Sequence, residues 1–338
     1  MTLVGTANPF VRIARAAAGL LSPSRPLLPL RVDHPVWVIG HRGAAREEPE
    51  NTIQSFARAA DLGADGIETD ICVTSDGRFI LWHDADPGGE IALARQAGRE
   101  ELAFTPDVPA VGSRWRRAVR ELTFDDFRRN YGYTPRRGGL SDLIAHDGPP
   151  DVPFATLEDL LAWSDRETRI RHLVFDVKLE GQDADRAKEL LECARAWVSR
   201  PNARPDLTIH YLNPHREVLE PLSKYVRERP LPARLELYAD FELPGVRRTA
   251  RRLGRRHVSM GAGQRFWNEF RAEVASVGRA RRRGELDRLI VWTVNEERPL
   301  REMIDRGVDG ILTDDPKMLR GIVSGAAPGG KERAGASV

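Results

Sequence analysis

Short β-branched runs recur along most of this chain, separated by longer amphipathic stretches. That alternation limits the chain to parallel strands joined by crossover helices. The runs are Val36–Gly40, Asp65–Ile71, Leu173–Lys178, Leu207–Leu212, Arg234–Ala239, His257–Met260, Leu289–Asn295 and Gly310–Asp314. A further run, Phe79–His83, is joined to the second only through Thr74-Ser-Asp-Gly77. A parallel crossover needs about a dozen residues, so these two must form an antiparallel hairpin. With that arm set aside, eight strands remain, which predicts an α/β fold: a single closed (β/α)8 barrel whose first and last strands pair. Asn51 or Thr52 can cap the first crossover helix, which should end near Gly63.

At 338 residues and 41% apolar content the chain can bury a core of that size. Residues 84–153 interrupt the alternation with Pro, Gly and Arg and include helical pieces such as 123–131. They read as an insertion over one mouth of the barrel. The barrel domain then covers 31–323, after an N-terminal extension (1–30) and before a Gly/Ala/Ser-rich tail (324–338) expected to be disordered. Within the extension, the apolar stretch Val11–Leu21 is broken by Arg12 and Arg15, which fits a helix packed on the domain better than a secretion signal. No apolar run reaches the roughly 18 residues of a membrane span, so no stable membrane insertion is expected.

Lys and Arg total 52 against 50 Asp and Glu, and a formal charge of +2 gives no general attraction to nucleic acid. Cys72 and Cys193 fit no metal or redox spacing and read as buried free thiols, which together with the lack of a clear signal suggests a cytoplasmic protein. Nothing in the residues fixes an oligomeric state.

In a barrel of this kind, chemistry gathers at the carboxyl ends of the strands. His41 and Arg42 follow the first strand. Glu68 and Asp70, two residues apart at the end of the second, share one face, as do Asp176 and Lys178 at the end of the third. His83 and Asp84 return to the same mouth. So many charges converge there that a cation and an anion between them are expected. Oxygen ligation by Glu68, Asp70 and Asp176 suits a hard divalent cation, Mg2+ or Ca2+. His41 and His83 could act as acid and base on a phosphodiester, with Arg42 and Lys178 on its non-bridging oxygens. The blander readings are a salt-bridged carboxylate pair on a solvated strand, and a simple Asp176–Lys178 ion pair.

Gly40-His-Arg-Gly43, Pro49-Glu-Asn-Thr52, Gly63-Ala-Asp-Gly-Ile-Glu-Thr-Asp70, Thr74-Ser-Asp-Gly77 and His83-Asp84 occur in the order and spacing of the glycerophosphodiester phosphodiesterase signature. Val152–Leu160, Trp292-Thr-Val-Asn295 and Asp309–Asp314 continue the resemblance. It implies a TIM barrel that hydrolyses small-molecule glycerophosphodiesters to glycerol 3-phosphate and an alcohol with a divalent cation. By position, His41 and His83 would be the acid–base pair, Glu68 and Asp70 metal ligands, Lys178 a phosphate contact and Trp292 an apolar wall against the glycerol or leaving group. Related barrels with the same histidines release a cyclic phosphate from lysophospholipids, and a non-catalytic phosphodiester-binding barrel is a third possibility.

The chain departs from the pattern in two places. Asp176 stands where the family usually has Glu, and Leu207–Leu212 lacks the usual Ser-Phe strand end. Arg114, Arg116, Arg117 and Arg120 around Trp115 in the insertion read as a solvated face.

Overall fold

The computed structural model describes residues 35–100, 102–136, 150–241, 246–261 and 267–325. The N-terminal extension, the end of the tail and part of the insertion lie outside these residues, as does the Val11–Leu21 segment.

Eight strands close a parallel barrel: β1 (Trp37–Gly40), β2 (Gly66–Val73), β6 (His172–Val177), β7 (Thr208–Asn213), β8 (Leu235–Phe241), β9 (His257–Gly261), β10 (Arg288–Trp292) and β11 (Gly310–Thr313). Closure is a four-residue parallel register from Trp37↔Gly310 to Gly40↔Thr313, with Ile39↔Gly66 joining β1 to β2. The hairpin arm is β3 (Phe79–Leu81), antiparallel to β2 through Ile71↔Leu81. It ends before His83, and β10 ends at Trp292, so both are shorter than the sequence suggests. In each case the chain leaves the ladder where side chains turn to the mouth.

The first crossover helix, Ile53–Asp61, is capped by Thr52, whose side chain accepts from the Ser55 N–H, and Gly63 follows it with φ +88°. Side chains of alternate strand residues fill the barrel. Ile39, Val174, Leu212, Tyr238, Ile290 and Leu312 form an apolar layer. Beneath it lies a polar layer absent from the sequence reading. Trp37 stacks on His172 at 4.1 Å, His172 meets His210 at 3.0 Å, and His210 meets Glu236 at 3.0 Å. Burial raises the Glu236 carboxyl, but its bonds to His210 and Tyr238 outweigh this and hold it at about 2.

Residues 84–136 form a small layered unit. It contains a helix (Glu90–Gln96), a two-stranded sheet of β4 (Phe104–Asp107) and β5 (Gly132–Pro135), and a helix (Phe124–Asn130). It has its own core, in which Phe127, Tyr131 and Tyr133 surround Trp82 on the back of the hairpin. The insertion is therefore anchored on the hairpin. Arg116 ties it together by donating to the Pro87 and Pro109 carbonyls at 2.9 and 2.7 Å, whereas Arg114 stacks on Trp115. One expectation fails: Cys72 is buried, but Cys193 is exposed, because its position on the helix Ala184–Val198 faces away from the barrel.

Candidate active site

The turn after β1 sets the first group of residues. Gly43 has φ +90°, and a Cβ there would lie 2.4 Å from Ser55 Oγ, so only glycine fits. Ser55 Oγ in turn accepts from the Ala44 N–H at 2.8 Å and donates to the Arg42 carbonyl at 3.0 Å. This locks Arg42 in the left-handed region with φ 53°, and its N–H donates to Glu68 Oε2 at 2.8 Å. Gly43→Ala is expected to destabilise the turn by about 1–3 kcal/mol. Urea unfolding checks this, and an unchanged midpoint would refute the packing argument.

Asn51 aligns the second group. Its side-chain oxygen accepts from the Thr69 hydroxyl at 2.7 Å and the Asp70 N–H at 3.1 Å, and its amide donates to Asp70 Oδ2 at 2.9 Å. All three residues are buried, so the Asp70 carboxylate has one orientation. Glu68, Asp70 and Asp176 each bring an oxygen within 4.8 Å of the others. Lys178 Nζ lies 2.6 Å from Asp176 Oδ2 and 3.0 Å from Asp70 Oδ1.

Burial and the neighbouring Asp70 carboxylate push Glu68 up to about 8. Asp70 is also opposed by burial, but Lys178, His83 and Arg42 hold it well below the usual carboxylate range. Three crowded oxygens of which one resists ionisation are what a divalent cation would relieve. The all-oxygen set, including the shorter Asp176, fits a hard ion.

Each histidine acts on one of these carboxylates, His41 on Glu68 and His83 on Asp70. His41 Nδ1 is 2.6 Å from Asp314 Oδ1 and His83 Nδ1 is 2.7 Å from Asp84 Oδ1, which leaves Nε2 of each ring for chemistry. Asp314 is held in turn by Asn295, whose side-chain oxygen accepts the Asp314 N–H at 2.8 Å. The surroundings of the two rings differ. Burial and Arg42 lower His41, but Asp314 and Glu68 outweigh them and its pKa is raised. Burial, Arg42, Arg95 and Lys178 together lower His83.

Arg42 is tied down as well. Its Nη1 lies 2.9 Å from Glu50 and 3.2 Å from Glu100, and its Nε is 3.3 Å from Asp70. Arg95, from the insertion, completes the network. Only 1% exposed, it contacts Asp84 at 3.1 Å and also Glu50 and Glu100. Sequence reasoning missed Arg95 because nothing in its local pattern marks it. Arg95→Met leaves Asp84 buried without its guanidinium and Glu50 with Arg42 alone, and a loss of about 3–5 kcal/mol in unfolding free energy is expected by denaturant titration. A loss under about 1 kcal/mol would show the network to be dispensable.

Trp292, half-buried at the end of β10, donates from Nε1 to Asp240 Oδ1 at 2.9 Å. Asn213 ends β7, the strand that lacks the Ser-Phe pair. Its amide donates to the Val177 and Leu179 carbonyls at 2.9 Å each, which fixes the chain just beyond Asp176 and Lys178.

A family description, the glycerophosphoryl diester phosphodiesterase family, matches residues 41–318. A glycerophosphodiester phosphodiesterase of Bacillus altitudinis is 25% identical over 293 residues, covering 82% of this chain and 94% of that one. One from Caldanaerobacter subterraneus is 55% identical over 47 residues, which is 14% of this chain and 19% of the relative.

Among solved structures, an Oleispira antarctica phosphodiesterase in complex with the product sn-glycerol-3-phosphate aligns with a TM-score of 0.60 at 14% identity, covering 86% of this chain and 97% of that one. A glycerophosphodiester phosphodiesterase from Parabacteroides distasonis aligns at 0.57 and 20% identity, covering 86% and 97%. At these identities the structures speak for the barrel alone. It is the match over nearly the whole barrel, together with the site at its mouth, that places the chain in the glycerophosphoryl diester phosphodiesterase family.

Proposed function

We propose that this enzyme hydrolyses glycerophosphodiesters to glycerol 3-phosphate and an alcohol, with His83 as general base, His41 as general acid and Glu68, Asp70 and Asp176 as ligands of a divalent cation. The observation that carries this reading is the pair of histidines, each oriented by a carboxylate and displaced in opposite directions, His41 in electrostatic reach of Glu68 and His83 of Asp70. A cation held there would offset the charge of a non-bridging phosphate oxygen. Lys178 and Arg42, the basic side chains nearest the trio, are assigned to the phosphate.

His83 is deprotonated near neutrality, so its Nε2 takes the proton of the attacking glycerol hydroxyl as that oxygen bonds to phosphorus. As the bond to the leaving alcohol breaks, protonated His41 supplies the proton that alcohol needs. The roles then reverse. Neutral His41 takes a proton from water attacking the cyclic diester, and His83 returns its proton to the ring oxygen. Both histidines end as they began.

The sign of the pH dependence follows. Activity requires neutral His83 and is lost as pH falls through a pKa below the ordinary histidine value. It also requires protonated His41 and is lost as pH rises through a pKa above that value. The kcat/KM profile is therefore expected to be a bell wider than two ordinary histidines would give. His41→Ala should remove the alkaline limb and His83→Ala the acid limb from the residual activity. Limbs lost in the opposite sense would reverse the assignment.

A further inference from the structure

The large apolar side chains left exposed among the described residues all stand on the insertion. They are Ile91 at 62%, Leu93 at 46% and Val111 at 86%. Ile91 and Leu93 lie on the helix Glu90–Gln96, on either flank of the face that buries Ala92 and Arg95. Val111 stands at the corner of a tight turn in which the Ser113 N–H donates to the Ala110 carbonyl at 3.0 Å and Gly112 has φ +90°. Turn corners ordinarily carry polar residues, Gly or Pro. Arg116 holds the turn against the helix, donating to the Pro109 carbonyl at 2.7 Å and to Gln96 Oε1 at 2.6 Å. Tyr131 fixes the chain just beyond, donating to the Trp115 carbonyl at 2.8 Å and accepting from the Arg117 N–H at 3.1 Å.

From Pro109 to Arg120 every charged residue is an arginine. Arg114, Arg117 and Arg120 are exposed, and none of them has an acidic partner among the described residues. Arg114 lies over the Trp115 ring, and Arg117 donates to the Arg114 carbonyl at 2.9 Å. Farther along the same lobe the arginines are paired, Arg128 and Arg129 with Asp125 and Asp126. Apolar side chains interspersed with such arginines do not make a protein-binding patch, which needs a contiguous apolar centre with few charges. They suit an anionic bilayer surface, where acyl chains take up each apolar side chain separately and lipid phosphates meet each guanidinium. The helix that carries Ile91 and Leu93 also carries Arg95, 3.1 Å from Asp84, which is the partner of His83. A lobe resting on lipid therefore holds the mouth of the barrel at the membrane.

We propose that the insertion is a membrane-docking lobe: Ile91, Leu93 and Val111 enter the headgroup boundary of an anionic bilayer, Arg114, Arg117 and Arg120 contact its phosphates, and the mouth draws its diester from the lipid surface. Docking of this kind is peripheral and reversible, since three side chains bury far less apolar area than a spanning helix. The choice of a lipid-borne diester, a lysophospholipid, rests on the phosphodiesterase reading, and the docking itself does not.

The test is cosedimentation of the full chain with vesicles of phosphatidylcholine, with and without phosphatidylglycerol. Partition onto the anionic vesicles is expected to exceed that onto the neutral ones by about tenfold or more at low salt, and to fall as salt is added. The triple variant Ile91→Gln, Leu93→Gln, Val111→Ser should lower it by about tenfold or more, and each of Arg114→Gln, Arg117→Gln and Arg120→Gln by up to about fivefold. All these side chains are exposed, so thermal midpoints should hold. Arg251→Gln with Arg252→Gln, an exposed basic pair on the helix Val246–Leu253 outside the lobe, should leave binding unchanged. On lysophosphatidylglycerol presented in the anionic vesicles, the triple variant should raise KM by about tenfold with kcat held. Glycerophosphocholine in solution should be turned over as by the wild type.

Binding that survives the triple variant, or that the Arg251 and Arg252 substitutions abolish, would overturn the docking lobe. Equal binding to neutral and anionic vesicles would overturn it too, as would no binding to either. Docking with an unchanged KM for the vesicle-borne diester in the triple variant would overturn the lipid-borne substrate. Docking without turnover of any diester would count against the phosphodiesterase reading and leave the lobe standing.

Discussion

His83→Ala is expected to lower kcat on glycerophosphocholine by about 100- to 10,000-fold while leaving the thermal midpoint nearly unchanged. The rate falls because no other described side chain offers an unpaired imidazole nitrogen on that side of the carboxylate trio. The Nδ1 position is already taken by Asp84, 2.7 Å away, so the ring is held with Nε2 outward. Stability should hold because the histidine is partly exposed at 15% and lies beyond the end of β3, outside the apolar clusters. His83→Gln separates chemistry from hydrogen bonding, since it can still bond but cannot turn over a proton near neutrality. It should be as inactive as alanine. His41→Ala is expected to behave similarly, and the double variant should lose little more than either single one, because the two act as a unit. Losses that multiply would show that the histidines act independently.

The second large effect concerns the carboxylates. A cation at one hundred times its Kd stabilises the fold by about 2.7 kcal/mol, which for a chain of this size corresponds to roughly 4 °C in Tm. Asp176→Ala should abolish most of that shift along with turnover. Asp176→Glu, which restores the residue usual in the family, should retain both. Affinity should also rise with pH. The cation needs Glu68 ionised, and burial with Asp70 pushes Glu68 up to about 8, so binding at pH 7 should release about one proton and binding above about pH 9 almost none. Calorimetry in buffers of different ionisation enthalpy counts that proton. Zero release at pH 7 would remove Glu68 from the ligand set.

The barrel was legible because its signals are local. A strand alternates every two residues, so Glu68 with Asp70 and Asp176 with Lys178 announce a shared face before any tertiary contact is known. The hairpin followed from the shortness of Thr74–Gly77 alone. What stayed hidden depends on closure. Arg95 reaches Glu50 and Asp84 from a helix in an insertion whose own pattern is broken, and nothing around it in the sequence distinguishes it from its many arginine neighbours.

Asp314 was visible at a strand end, but its bond to His41 exists only because β11 pairs with β1. Asp240 and Trp292 are 52 residues apart and meet only across β9. The part-buried His172–His210–Glu236 chain looks like three unremarkable strand positions until the barrel turns them all inward. Cys193 illustrates the opposite error. Burial was inferred from residue type, but the helix rotates the thiol outward.

The most direct measurement is release of glycerol 3-phosphate from glycerophosphocholine by the purified protein with Mg2+, Ca2+ or EDTA, beside the His41→Ala and Asp176→Ala variants and followed by phosphorus NMR. Cation-dependent release that EDTA and both variants abolish is the predicted result. Turnover that persists in EDTA or in the His41→Ala variant would contradict it, and a cyclic phosphate that accumulates without ring opening would mean the reaction stops at transfer.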